Sequence, residues 1–569
     1  MGTAFTFTNV AHTNQGGLQM KIHRRILAPI VSVALFAGIL VVPLSGSASA
    51  GTQTSLTIAN SEWLYTCGFS PFNPIDQFLA VGTVYEPLMF VNEMNNGAIT
   101  PWLATAYAWS NGNKTLTFTI HSGVKWNDGK PFTAADVAFT FNMLKKYPAL
   151  DLNSVWSVLQ SVTASGANKV VMNFKTEAIP YFYYIADQIG IVPEHIWSEV
   201  KNPVTFKDAN PVGTGAYEVS SCTSENVSYV KNPNYWQPGL PKIDKIEYPA
   251  YTSNPPADLL LSTGGAQWGG QGMANIKDEW LVKSPTNKVW LAPAQNVAIF
   301  INQTDPLLSN VAVREAMVYG IDKSKVDAIG EHNQEDVANQ AGIITPTFSA
   351  WLDKPQLAKA GYTYDPAKAI SILKAAGFKM VKGVFQSKTG QKLSFSLLNE
   401  GGYSDWVAAT QVITTELAAV GIDITVDNES GGDYSSSLYD GKFQLAYAYE
   451  AGGPTPYYEL SQMLSSAKSA PIGKAATTNW ERFNNPTANQ LIAEYNSAST
   501  SAEQHSLTNQ LQDIILKDVP VIPVTEQSDW DEYSTAQYTG WPTASNPYAQ
   551  GYANVFPDWG IVLLHLRVK

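Results

Sequence analysis

The residues able to do chemistry in this 569-residue chain are scattered, and no reactive constellation stands out. His-Glu-x-x-His, Gly-x-Ser-x-Gly, a phosphate-binding P-loop and Cys-x-x-Cys are all missing from the sequence, which argues against an enzyme. The seven histidines are dispersed, and His195, in Pro193-Glu194-His195, reads as a satisfied structural histidine. Without a histidine cluster, nickel or haem is the least expected ligand, and no cofactor is expected. Carboxylates are numerous enough to keep a secreted two-carboxylate glycosidase as a remote alternative. What remains is binding chemistry. The chain has 16 Trp and 27 Tyr among only 15% charged residues. Most of these rings must fill cores, while a minority lining a cleft would offer flat faces with polar edges. Trp268 lies inside the glycine-rich run 264–270. A tryptophan flanked by glycines is hard to bury, so Trp268 is the first cleft candidate, with packing inside a loop as the alternative.

The elements that must position such residues begin after residue 50. Lys21, His23, Arg24 and Arg25 precede the uncharged apolar run 26–44, which ends in Ser45-Gly46-Ser47-Ala48-Ser49-Ala50. This reads as a secretory signal cleaved after Ala50, with residues 1–19 as an upstream extension. The run is long for a signal core, so an uncleaved membrane anchor is the competing reading. No cysteine stands at the cleavage site, so no lipid anchor is encoded there. Cys67 and Cys222 are the two cysteines, and in an exported chain either a disulfide or two separate buried thiols would fit, with the disulfide ahead. Removing residues 1–50 takes away three cations and no acid, moving the net charge from −12 to −15. Such a chain is a poor partner for nucleic acid or anionic lipid. The remaining length is enough for two or three domains.

From Leu116 to Lys146 the sequence reads as strand, turn and capped helix. Leu116, Phe118 and Ile120 alternate with threonines. Asn127-Asp128-Gly129 turns the chain, Thr133 caps a helix with Asp136 in its first turn, and Pro148 ends it. Further on, Asp365-Pro366 starts a helix that Gly377 closes. A strand at 393–398, a helix at 405–420 and a strand at 421–426 predict a parallel pair joined by a crossover helix.

The run 123–141, GVKWNDGKPFTAADVAFTF, resembles the signature of the family 5 extracellular solute-binding proteins of ABC importers, the oligopeptide, dipeptide and nickel group. Gly123, Val124, Trp126, Asp128, Gly129, Phe132, Thr133, Ala134, Asp136 and Val137 carry the likeness. Tyr85-Glu86-Pro87-Leu88, Pro101-Trp102-Leu103-Ala104, Pro211 to Tyr217, Asn232 to Trp236, Ala316 with Gly320-Ile321-Asp322, Tyr364 to Gly377 and Asp518 to Pro523 resemble further blocks of that family in the same order.

The resemblance implies an α/β, two-lobed periplasmic-binding-protein-like fold with a discontinuous first lobe, an extra subdomain and a ligand cleft between the lobes. On that pattern, residues 51–87 and 206–300 form the first lobe with 88–205 as its subdomain, 301–523 form the second lobe, and 524–569 return to the first. It implies an exported, monomeric protein, periplasmic or cell-surface associated, that closes on a small-molecule ligand and delivers it to the transmembrane subunits of an ABC permease. Peptide-binding members carry an aspartate for the ligand's amino terminus after the strand that here ends near Tyr449. Its place falls on Gly452 or Gly453, with Glu450 as a nearby substitute. An oligopeptide is the first expectation, and a cello- or xylo-type oligosaccharide, facing Trp268, Tyr447, Tyr449 and Trp530, is the second. With glycines at 452 and 453, the cleft is expected to be lined by Trp and Tyr with few unpaired carboxylates.

Overall fold

The computed structural model describes residues 53–60, 64–449, 452–498 and 500–569, so the signal segment and Glu450 lie outside the described residues. Two long antiparallel strands, Asn287–Ile301 and Val521–Ser534, run side by side through the middle of a large mixed sheet. On one side the sheet continues through Leu445–Tyr449, Ser394–Glu400 and Asp423–Glu429. On the other side it continues through Trp268–Gly269, Ser55–Ala59, Lys245–Pro249, Asn226–Lys231 and Tyr217–Thr223. The fold is two-lobed α/β, and the two long strands cross from one half of it to the other.

Ser394–Glu400 and Asp423–Glu429 are parallel, and the helix Ser404–Ala419 crosses between them, as strand-helix-strand periodicity predicts. The chain after the second crossing strand packs on the half that contains the first strand. The Tyr538 hydroxyl donates to the Ser55 carbonyl at 2.6 Å, and the Trp559 indole donates to the Val81 carbonyl at 2.8 Å. Cys67 and Cys222 form a disulfide with Cα atoms 5.7 Å apart. It ties the loop after the first strand to the strand Tyr217–Thr223.

Residues 104–174 make a separate four-stranded sheet covered by the helix Ala134–Lys146. Leu116, Phe118 and Ile120 are its buried set. Thr133 and Asp136 form a capping box: the Thr133 hydroxyl accepts from the Ala135 amide, and the Asp136 carboxylate accepts from the Thr133 amide at 2.8 Å. His195 sits 2.8 Å from the Asp128 carboxylate, the satisfied structural role read from the sequence. No helix among the described residues is long and apolar enough to cross a membrane.

Candidate functional site in the seam between the lobes

The helix Ser404–Ala419 starts where a parallel strand ends, the position at which α/β sheets open their clefts. Its first turn points at the opposite half of the molecule. Asp405 accepts from the Asn254 side-chain amide at 3.1 Å, and the Gln334 amide donates to the Met273 carbonyl at 3.1 Å. These contacts define a seam between the halves.

Behind the seam lies a group of acids. Glu331 is 2% exposed and Glu335 8%. One Glu335 oxygen accepts from the Ser528 amide at 3.3 Å. Both Glu331 oxygens make no hydrogen bond among the described residues, whereas the Thr525 hydroxyl stands against both Glu335 and the Tyr447 hydroxyl. No ion pair among the described residues involves Glu331, Glu335 or Asp405. Burial therefore dominates their electrostatics. It pushes Glu335 up to about 8, against the Thr525 hydroxyl that favours the ionised form. Burial also raises Asp405 to about 6, while the amides of the helix start and Asn254 hold it down. Glu331 is driven well above the usual carboxylate range by burial and then by the charges of Glu335, Asp405 and Asp327.

Beside these acids stands an aromatic wall. The Trp406 ring lies 4.9 Å from Tyr403, 5.2 Å from Tyr447 and 6.3 Å from Tyr449, centroid to centroid. Trp406 and Tyr447 are fully buried, so Tyr449, 43% exposed, is the ring of this wall that is open to a ligand. Asn254 and Gln271, facing from the other half, each keep a buried side-chain oxygen without a partner. Rings, carboxylates and amides with unused hydrogen-bonding atoms suit a polar ligand that donates many hydrogen bonds. Among the described residues, no group of three or more His, Cys, Asp or Glu is placed to hold a metal ion.

Of the residues read from the sequence, Tyr447 and Tyr449 come together on this wall, while Trp268 and Trp530 do not join it. Trp268 is fully buried in a short strand, its indole donating to Asp531 at 3.1 Å and to the Gly551 carbonyl at 2.8 Å, with its ring edge-on to Trp541. The argument that flanking glycines expose it fails for a steric reason. A Cβ on Gly269 would come within 2.8 Å of Leu261 and 2.9 Å of Glu532, so that glycine serves close packing. Trp530 packs in a core with Ala59, Leu261, Met273 and Trp280.

A Cβ on Gly452 would lie 2.8 Å from the Ala294 carbonyl, and one on Gly453 2.5 Å from the Tyr458 side chain. Neither position has room for a carboxylate. Against the expectation of few unpaired carboxylates, Glu331 and Glu335 behind the seam have no Lys or Arg partner among the described residues. Besides the seam acids, Asp529, Asp531 and Glu532 are buried on the second crossing strand, and Glu93, Asp187 and Asp558 are buried nearby. These acids were missed because they converge from distant segments. The Asp405-Trp406 pair at the start of a predicted crossover helix was the one local sign.

A family model described as bacterial extracellular solute-binding proteins, family 5 (middle), matches residues 98–471. The chain is 26% identical over 412 residues to the nickel-binding periplasmic protein of Escherichia coli K12, covering 69% of this chain and 76% of that protein. It is 26% identical over 440 residues to the glutathione-binding protein GsiB of Shigella dysenteriae, covering 74% and 79%. Its fold is similar to a mannohexaose-bound periplasmic oligopeptide-binding protein of an oligopeptide ABC transporter from Thermotoga maritima, with TM-score 0.83 and 28% identity over 91% of this chain and 99% of the other. These relatives are binding proteins. The chain belongs to the family 5 bacterial extracellular solute-binding proteins, the substrate-binding components of ABC importers.

Proposed function

We propose that this protein captures an oligosaccharide in the seam between its lobes and hands it to a membrane permease. The observation that carries this reading is the aromatic wall of Tyr403, Trp406, Tyr447 and Tyr449 set against buried carboxylates and amides with unused hydrogen-bonding atoms. Sugar rings present apolar faces to aromatic side chains and hydroxyls to such groups. The mannohexaose held by the Thermotoga relative supports the same class. The absence of space for a side chain at Gly452 and Gly453 counts against a peptide amine held at that point.

An oligopeptide is the second reading, favoured by the surplus of carboxylates, which an ammonium could meet, and by the glutathione-binding relative. On either reading the protein works as an exported monomer. The lobe boundaries run along the two crossing strands, with 524–569 returning to the first lobe, and the ligand favours the closed arrangement by touching both lobes.

Titration calorimetry of the protein lacking residues 1–50 against mannohexaose, cellohexaose, xylohexaose and a mixed pentapeptide pool tests the class. A hexasaccharide binds, and Tyr449→Ala, at the exposed end of the wall, weakens it by about 1–3 kcal/mol through lost ring contact. Binding of peptides alone would overturn the reading.

A further inference from the structure

We propose that Asn254 and Asp405 are positioning residues: with Gly272 and Gly402 they form a latch that holds the lobes closed, in the free protein and around the ligand, and so sets how long a ligand stays bound. The lifetime it assigns to the ligand rests on the reading of the seam as the ligand site. All four residues lie where one element gives way to the next. Asn254 begins the helix Asn254–Ser262, and Gly272 follows the strand Trp268–Gly269. Gly402 and Asp405 stand at the change from the strand Ser394–Glu400 to the helix Ser404–Ala419, on the far side of the two crossing strands.

One buried amide ties these segments together. The Asn254 Nδ2 donates to the Asp405 Oδ1 at 3.1 Å, across the seam, and to the Gly272 carbonyl at 3.1 Å, within its own half. Its backbone amide donates to the Gly402 carbonyl at 3.4 Å, again across the seam. The amides of Asp405 and Trp406 meet the same carboxylate, so it is already placed at the helix start when Asn254 reaches it.

The two glycines are the independent sign that the halves are built to meet here. Neither takes a left-handed backbone, so neither is required by its local conformation. A Cβ on Gly272 would come within 2.8 Å of the Asp405 carboxylate, and one on Gly402 within 3.0 Å of the Thr252 carbonyl. Both collisions are with the opposite half. A glycine kept for space rather than for φ marks a surface that something else approaches closely.

A hydrogen bond between lobes exists only in the closed arrangement, so it shifts the balance of open and closed forms, whereas a bond within one lobe leaves that balance unchanged. A charged acceptor makes this bond one of the stronger kind. The latch therefore slows the release of whatever the seam encloses. It does not select among ligands, because its partners are all protein atoms.

The test pairs small-angle scattering of the ligand-free protein lacking residues 1–50 with stopped-flow release of mannohexaose, for the unsubstituted protein, Asn254→Ala, Asp405→Ala, the double variant and Gly272→Ala. Each single variant raises the radius of gyration of the free protein and shortens the residence of mannohexaose about tenfold. The double variant releases it no faster than the quicker single one, because both residues serve one bond. Unchanged scattering, or a double variant that releases about a hundredfold faster because the single effects simply multiply, would overturn the latch. If mannohexaose does not bind the unsubstituted protein, the oligosaccharide reading fails, and scattering of the free variants alone decides the latch: larger radii keep it and equal radii overturn it.

Discussion

In the subdomain of residues 104–174, Leu116, Phe118, Ile120 and Phe141 meet in an apolar core, and the helix over them is closed by its own capping box. In the seam, burial encloses Glu331, Glu335 and Tyr447, with Asp405 half-buried beside them, and both Glu331 oxygens have no donor to meet. In the first region the unmet buried atoms are neutral ones, the Trp126 indole nitrogen and the Asn127 side-chain oxygen. The second leaves desolvated groups whose needs a ligand could satisfy, and such groups cost stability until it does. On the proposed reading, the contrast separates residues kept for the fold from residues kept for binding.

The largest expected effect lies in the first region. Phe141→Ala removes a fully buried ring and costs about 3–5 kcal/mol in chemical denaturation. Hexasaccharide affinity of the folded fraction stays the same, because Phe141 is remote from the seam.

The seam responds to pH through Glu335. Glu335 is raised to about 8 in the ligand-free fold, above its value in an unfolded chain. The folded state therefore holds a proton that the unfolded state has released, and stability present below the usual carboxylate range is lost as pH rises through about 8. Glu93, raised to about 7 by burial, and Asp558, raised to about 8 by burial, act in the same direction. Thermal melts between pH 5 and 9 show a falling midpoint, and Glu335→Gln removes a share on the order of 1 kcal/mol per pH unit. A flat profile would mean that the seam acids are already compensated.

The smallest effect again concerns the subdomain. Thr133→Ala deletes the cap of the helix Ala134–Lys146 and costs about 1 kcal/mol, read as a lower denaturant midpoint with unchanged slope.

The same contrast decides what could be read from residues alone. Strand alternation at 116–120, the Thr133 cap and the parallel pair around the helix Ser404–Ala419 depend on neighbours a few positions apart, so local pattern reveals them. Tyr447 and Tyr449 were legible because the strand carrying them follows a recognisable block. Asn254 meets Asp405 only because the chain crosses once between the halves in the interval, and an isolated glutamate such as Glu331 looks in sequence like any surface charge. Trp268 and Trp530 were misjudged in the opposite sense. The glycines around Trp268 suggested exposure, whereas the sheet buries that ring, and Trp530 packs in a core of its own half.

The central claim is that the oligosaccharide sits in the seam. Hydrogen–deuterium exchange of the protein lacking residues 1–50, with and without saturating mannohexaose, addresses it most directly. The account predicts added protection in peptides covering 269–274, 331–338, 400–410 and 445–449, and none in 115–146. Protection confined to any other surface, with the seam peptides unchanged under demonstrated binding, would contradict it.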